Sequence, residues 1–496
     1  MSEYKHGAYG QIQAAGSRVS TEALNAFVYV GTAPVNQVAD GGKNVNKPVL
    51  VRSINEAKKL FGYSDDWASF TLCEAMKVHL EQRGVGPLVL INVLDPSTHV
   101  KSESGSKSLT PSNGRVVIAG AEKIVLDTVV VKSGETEKVL GEDYTMVYNI
   151  DKQTLTIANA KTNGLGTAAL TITYKEVDPA AVASADVIGS SDGYGLNKGL
   201  AAIRNVYQET GYIPSFLLAP GFSGDPAVHT AMAAASRKIG GHWDAYMLVD
   251  IPITSGGTAV TLATAPDWKN DNGYTCDNES CYFPLALGTD GRKYHLSVLA
   301  AANLQTLIAA QDGVPYRTAS NTECGIIQNL YLGESTQGRA YDDTLINDTL
   351  NKNGISSAAY VGGRWCIWGA HGAPYGPDNA DTINVSEVNR MMLYYISNDF
   401  QHRRSKDVDK PMTANDIQSI MAEEQARLDA LRNLGAILLG EVHLHAEQDD
   451  RSDLIKGDFS FDFEVTVTPL AKSLTAVVSW TDEGFETYFA GFESVQ

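Results

Sequence analysis

In Gly457-Asp-Phe-Ser-Phe-Asp-Phe-Glu-Val-Thr-Val-Thr-Pro469, apolar and polar residues alternate without a break. Phe459, Phe461, Phe463, Val465 and Val467 share one face, and Ser460, Asp462, Glu464, Thr466 and Thr468 share the other. A period of two residues is that of a half-buried strand. A second run, Leu474-Thr-Ala-Val-Val-Ser-Trp480, follows, and Phe485, Tyr488, Phe489 and Phe492 make the last residues aromatic. Two or three strands at one end of a chain leave backbone donors and acceptors unpaired, so they are either covered at home or completed by another chain. We expect other copies of the same chain to complete them.

Working outward, 496 residues exceed what one hydrophobic core supports, so several domains are expected. An apolar content of 43% with 20% charged residues is that of a folded protein and not of a disordered one. The net charge of −19 argues against direct binding of nucleic acid through a general electrostatic field. Met1-Ser-Glu-Tyr-Lys-His-Gly7 has no apolar segment of signal-peptide type, and no apolar run reaches the ~20 residues a membrane span needs. The expectation is synthesis in the cytoplasm without membrane insertion. Five scattered cysteines (Cys73, Cys276, Cys281, Cys324, Cys366) favour free thiols over a disulfide framework.

The fold class expected is α/β (mixed with α+β) and multidomain. Residues 1–25 read as an extended arm, with Val19 and Leu24 its weakly alternating apolar residues. Residues 26–96 and 178–375 read as an α/β core. There Ala26–Gly31 and Leu88–Leu94 are buried-strand candidates, Ser53 to Glu56 is a capping box, and Asp66–Arg83 is an amphipathic helix. Asp225-Pro226 starts another helix, and helix–strand alternation continues through Tyr282–Leu287, Leu296–Ala310, Ile326–Leu332 and Arg364–Trp368. Residues 97–177 carry only short strands between turn residues, which predicts an inserted all-β domain. Residues 376–470 form a C-terminal α+β domain with helices over Val385–Phe400 and Thr413–Leu434, the latter opened by Thr413 and Asp416 and closed by Gly435. Residues 471–496 are a terminal arm.

Three motifs could carry chemistry. Gly189-Ser-Ser-Asp-Gly-Tyr-Gly195 fits both a nucleophile elbow at Ser191 and a dinucleotide-binding turn. Neither context holds, because Asp186-Val-Ile188 is too short for a central strand and no Tyr-x-x-x-Lys follows downstream; a linker is the plainer reading. Glu441-Val-His-Leu-His-Ala-Glu447 places Glu441, His443, His445 and Glu447 on one strand face, but no second ligand cluster closes a shell, so no metal is expected. Cys276 and Cys281 flank a polar stretch and are expected as exposed free thiols. No catalytic residues and no cofactor are assigned, and no Gly-x-x-x-x-Gly-Lys-Ser/Thr loop supplies nucleotide-driven motion. His402-Arg-Arg-Ser-Lys406 with Lys410 is a basic stretch in an acidic chain, either a solvated helix end or a docking patch.

Val408-Asp-Lys-Pro-Met-Thr-Ala-Asn-Asp-Ile417, Leu431-Arg-Asn-Leu-Gly435, Lys456-Gly-Asp-Phe-Ser-Phe-Asp-Phe463 and Thr466-Val-Thr-Pro469 resemble the contractile tail sheath proteins of myophages and R-type pyocins. Arg364-Trp-Cys-Ile-Trp-Gly369, Tyr4-Lys-His-Gly7, Asn46-Lys-Pro-Val-Leu50 and Phe61-Gly62 are similar to the same family. The likeness covers residues 1–95 and 360–496; the β insert departs from compact members. The resemblance implies stacked hexameric rings forming a sleeve around an inner tube protein, with baseplate and tail terminator proteins as further partners. It implies that terminal arms add strands to a neighbour's C-terminal domain, which makes Val19, Leu24, Phe459, Phe461, Phe463, Val465, Val467, Leu474, Val477, Val478 and Trp480 the strand-exchange candidates. It also implies a metastable extended sleeve that contracts, with Arg403, Arg404, Lys406, Lys410 and Arg427 as candidate tube contacts. Two other classes stay open on sequence: a tail protein that polymerises without contracting, and a soluble α/β enzyme using Gly189–Gly195.

Overall fold

The computed structural model describes residues 25–39, 41–334, 341–376, 382–445 and 455–493. Its centre is an eight-stranded sheet in the order Pro48–Val51, Leu88–Asn92, Asn25–Gly31, Ile213–Leu218, Tyr246–Asp250, Glu279–Tyr282, Ile355–Val361, Arg364–Trp368. The six inner strands run parallel, and one antiparallel strand closes each side. Leu88–Asn92 and Tyr246–Asp250 are buried at every residue, which is why they read as continuous apolar runs: helices cover both faces of a parallel sheet.

One outer edge of this sheet is backed within the chain. Along Arg364–Trp368, Cys324 N–H donates to the Trp365 carbonyl (2.9 Å), Asn321 N–H to the Ile367 carbonyl (2.7 Å) and Ile367 N–H to the Thr322 carbonyl (3.1 Å). The opposite edge strand begins at Pro48, which offers no N–H, and is backed by a bridge from Val45 to Asn92.

The helix caps follow the sequence. Glu56 N–H donates to Ser53 Oγ, while the Glu56 carboxylate accepts from Arg52 N–H one residue ahead of the cap. Ala227 N–H donates to Asp225 at the start of Pro226–Ala235. The helix expected from Asp66 starts at Leu72, because Leu72 N–H donates to the Thr32 carbonyl and residues 66–70 turn on Asp66 instead. It then runs to Arg83 with a π-helical second part and ends at Gly84, φ 62°.

One strand expectation changes, and one strand was not anticipated. Tyr282–Leu287 is divided: Glu279–Tyr282 joins the large sheet, while Leu285–Gly288 pairs with Lys293–His295 and Ile327–Tyr331 in a separate three-stranded sheet. Ile355–Val361, with Ser356, Ser357, Ala358 and Ala359 all buried, has too little apolar contrast to announce itself as a strand.

Residues 105–174 form two sheets, one ordered Gly105–Leu109, Leu170–Tyr174, Val130–Ser133, Thr136–Glu137 and the other Arg115–Ala119, Thr154–Asn159, Tyr144–Asn149. They enclose their own apolar cluster, including Val116, Ile118, Leu155, Ile157, Leu170 and Ile172, apart from the main core. Asn36 Nδ2 bridges to the Glu122 and Ile124 carbonyls (2.8 and 2.9 Å), fixing this unit to the sheet region.

Candidate assembly interface

The C-terminal region is built from two helices and a hairpin. Glu387–Arg404 is capped by Ser386 and Ala414–Leu434 by a reciprocal pair, Thr413 N–H to Asp416 (2.8 Å) and Asp416 N–H to Thr413 Oγ1 (3.3 Å). Gly435, φ 80°, turns the chain into the strand Ile437–Leu444, which pairs antiparallel with Phe461–Val467. Ile437, Gly440 and Val442 face the long helix and are buried. A Cβ on Gly440 would sit 2.9 Å from Leu428 Cβ, so strand and helix touch backbone to side chain there. On the second strand Phe461, Phe463, Val465 and Val467 pack inward, and Phe400 meets the rings of Phe463 (5.3 Å) and Phe461 (5.9 Å). The expected alternation is therefore present from Phe461; Phe459, half-buried, precedes the strand.

Among the described residues this sheet has two strands and no third. The flanking ladder bonds run from Thr468 N–H to Ala436 O (3.1 Å) and from His445 N–H to Ser460 O (3.0 Å). Antiparallel pairing alternates, so the even-numbered residues of Phe461–Val467 bond toward the hairpin partner. Phe461, Phe463, Val465 and Val467 thus aim their backbone N–H and C=O groups at the outer edge.

Among the described residues the expected second strand has no pairing partner. Leu474–Trp480 has no strand assignment, and every residue from 471 to 490 is exposed. Leu474 (91% exposed), Val478 (91%) and Trp480 (80%) face solvent, as does Val477. The aromatic residues instead form a helix, Glu483–Glu493, in which Phe485, Tyr488 and Phe489 touch one another. One polar contact ties the arm's base to the body, Lys472 Nζ to Tyr375 OH at 3.0 Å. Apolar side chains left in water along some twenty consecutive residues are what an interaction segment looks like before its partner arrives. Val19 and Leu24 lie outside the described residues.

The basic candidates divide into two groups. Arg403 grips Glu424 through both guanidinium nitrogens (2.5 and 2.6 Å) and Asp399 through Nε (3.0 Å). Arg404 donates to Glu424 (2.7 Å) and Glu423 (2.8 Å), and Arg427 to Asp399 (2.5 Å). The Glu424 side chain is 1% exposed. Burial alone would raise its carboxyl, but the hydrogen bonds from Arg403 and Arg404 outweigh this and hold it below the usual range. These arginines therefore staple the two helices together. Lys406 and Lys410 remain at the surface, Lys410 3.0 Å from Asp407. Sequence reading missed Asp399, Glu424 and Gln425; the i, i+4 spacing of Asp399 and Arg403 was the available hint.

The remaining motifs are settled structurally by their neighbours. Gly189–Gly195 follows a short helix, Ser184–Ile188, and not a strand, and Ser191 Oγ accepts only from Gly193 N–H at 3.3 Å in an exposed loop. His445 Nδ1 is 2.7 Å from Asp462, and His443 is 3.4 Å from Glu441; Glu447 lies outside the described residues. Cys281 is fully buried and Cys276 half-buried, contrary to the expectation of exposed thiols, because the polar stretch between them leads straight into a core strand. Its Glu279 is satisfied by His229 Nε2 (2.6 Å) and Cys276 N–H (2.9 Å).

No protein-family model matches the chain. Its sequence is 26% identical to the tail sheath protein of Burkholderia phage BcepMu over 515 residues, 99% of each chain. That likeness to a tail sheath protein runs the full length of both chains. The fold is similar to that of a chain of the anti-feeding prophage baseplate (TM-score 0.54, 13% identity, 97% of this chain and 99% of that one). It is also similar to a chain of the PVC sheath complex, from an extracellular contractile injection system in its contracted state (TM-score 0.53, 10% identity, 98% and 99%). Both likenesses of fold cover nearly the whole of this chain.

Proposed function

We propose that this sheath subunit polymerises as stacked hexameric rings around an inner tube and joins its neighbours by strands exchanged through its arms. The carrying observation is an edge at Phe461–Val467 with no third strand among the described residues, together with an arm, residues 471–490, whose residues are all exposed. Backbone ladder bonds link domains through a flexible tether, so the mesh stays connected while the subunits rotate and slide. A head-to-tail contact of this kind propagates without closing and gives a helical sleeve. Residues 1–25 are the second arm in this reading, with Val19 and Leu24 its pairing residues.

The sleeve is assembled in an extended, metastable state, and its repacking into a shorter and wider one drives the tube through a target envelope. The work comes from the conformational difference between the two states, and baseplate and tail terminator proteins set the ends of the sleeve. The subunit is made in the bacterial cytoplasm and built into a phage tail or tail-like particle as a structural, non-enzymatic component. The C-terminal domain faces the tube; Lys406 and Lys410 supply the accessible charge, while Arg403, Arg404 and Arg427 hold the helices that present it. Electron micrographs of the protein co-expressed with its tube test this reading. Long thin sleeves together with short wide ones are expected; sleeves of a single length and width under all triggers would leave a polymer that does not contract.

A further inference from the structure

The two edges of the C-terminal hairpin are not equivalent. The outer edge of Ile437–Leu444 carries the backbone groups of Gly440, Val442 and Leu444, since its odd-numbered residues from Glu441 to His445 bond toward Phe461–Val467. Gln425, on the long helix, reaches this edge with its amide: Nε2 donates to the Gly440 carbonyl (2.9 Å) and Oε1 accepts from Val442 N–H (3.2 Å). One donor and one acceptor at that spacing are what a residue of an added strand would offer. The same strand has a register irregularity between Ile437 and Leu439, which interrupts the edge near its start. Bulges and side chains that occupy ladder groups are the two usual means of blunting an edge. The Phe461–Val467 edge has neither: its register from Phe461 to Val465 is unbroken.

We propose that Gln425 closes the Ile437–Leu444 edge, so that the Leu474–Trp480 segment of a second copy adds along the Phe461–Val467 edge alone. This rests on the strand-exchange reading and adds to it a residue that selects the edge. The occupant follows from the chain itself: Leu474–Trp480 is exposed throughout and places apolar Leu474, Ala476, Val478 and Trp480 at every second position, with Thr475, Val477 and Ser479 between them. Selection has a physical purpose. A sheet open on both sides would accept arms in two registers and on two faces, and a helical lattice tolerates only one.

Hydrogen exchange of free subunits and of assembled sleeves, both with the full chain, tests it. On assembly the amides of Phe463 and Val465 slow by roughly tenfold or more, while those of Gly440 and Leu444 are unchanged. Slowing at Gly440 and Leu444 would overturn the edge assignment and leave strand exchange standing. No slowing on either strand would overturn strand exchange itself. In Gln425→Ala the Val442 amide of the free subunit exchanges roughly tenfold faster or more, and sleeves give way to irregular aggregates. Regular sleeves from that variant, with Gly440 and Leu444 still unprotected, would show that Gln425 does not guard the edge.

Discussion

The eight-stranded sheet and the two-stranded C-terminal sheet solve the same problem in opposite ways. The large sheet covers both faces with helices and backs its Arg364–Trp368 edge at home with the 321–324 loop. The small sheet packs one face on its own helices and leaves the Phe461–Val467 edge open, with an apolar arm in solvent beyond it. The first region meets its own chain along the 321–324 loop; the second has, among the described residues, an edge with no third strand.

The largest effect that should separate the two regions is truncation. A chain lacking residues 471–496 is expected to keep the melting midpoint of the core and to form no sleeves, as read by calorimetry and electron microscopy. Normal sleeves from the truncated chain would break the comparison. The converse is a core cavity: Leu90, fully buried between Tyr29 and Val49, gives Leu90→Ala a loss of about 2–5 kcal/mol in unfolding free energy, with sleeve geometry unaltered. Glu424→Ala tests the staple. It strips Arg403 and Arg404 of their shared carboxylate and costs about 3 kcal/mol, near the low end for a buried pair because both arginines stay partly solvated. Exchange should then rise in Ala414–Leu434 and not in the large sheet; uniform destabilisation would contradict it.

The two regions should also part along the pH axis. In the core, His295 lies 2.6 Å from Glu74. Burial would lower the imidazole, but the Glu74 carboxylate outweighs it and raises the ring to about 9. A folded value above the unfolded one of about 6.5 means that this stabilisation is complete below pH ~6.5 and is lost as pH rises through ~9. Glu424 is held low, so its contribution is complete above the ordinary carboxylate value and is lost only as pH falls beneath it. Alkali should therefore soften the core by a few degrees first, and acid the C-terminal helices first, as followed by pH-dependent melting with exchange mapping. The smallest effect is at the surface. Lys406→Glu with Lys410→Glu is expected to change stability by no more than about 0.5 kcal/mol while reducing co-sedimentation with tube; unchanged loading would remove these residues from the tube contact.

What was legible in the sequence follows the same contrast. Leu88–Asn92 and Phe461–Val467 announced themselves because burial on two faces or on one writes directly into residue periodicity. Caps at Ser53, Asp225 and Thr413 were readable because a cap is a local hydrogen bond. Ile355–Val361 was not, since its place in the sheet is secured by neighbours and not by its own apolar content. The basic stretch was visible as charge, yet its orientation was not: that Arg403 and Arg404 turn inward depends on Glu424, twenty residues away on another helix. Leu474–Trp480 has an apolar run but, among the described residues, no strand partner.

The most direct measurement is the structure of an assembled sleeve by electron cryomicroscopy, at a resolution that traces backbone. The account predicts main-chain hydrogen bonds between Leu474–Trp480 of one copy and Phe461–Val467 of another. Arms folded onto their own subunits, with that edge bare or covered by the same chain, would contradict it.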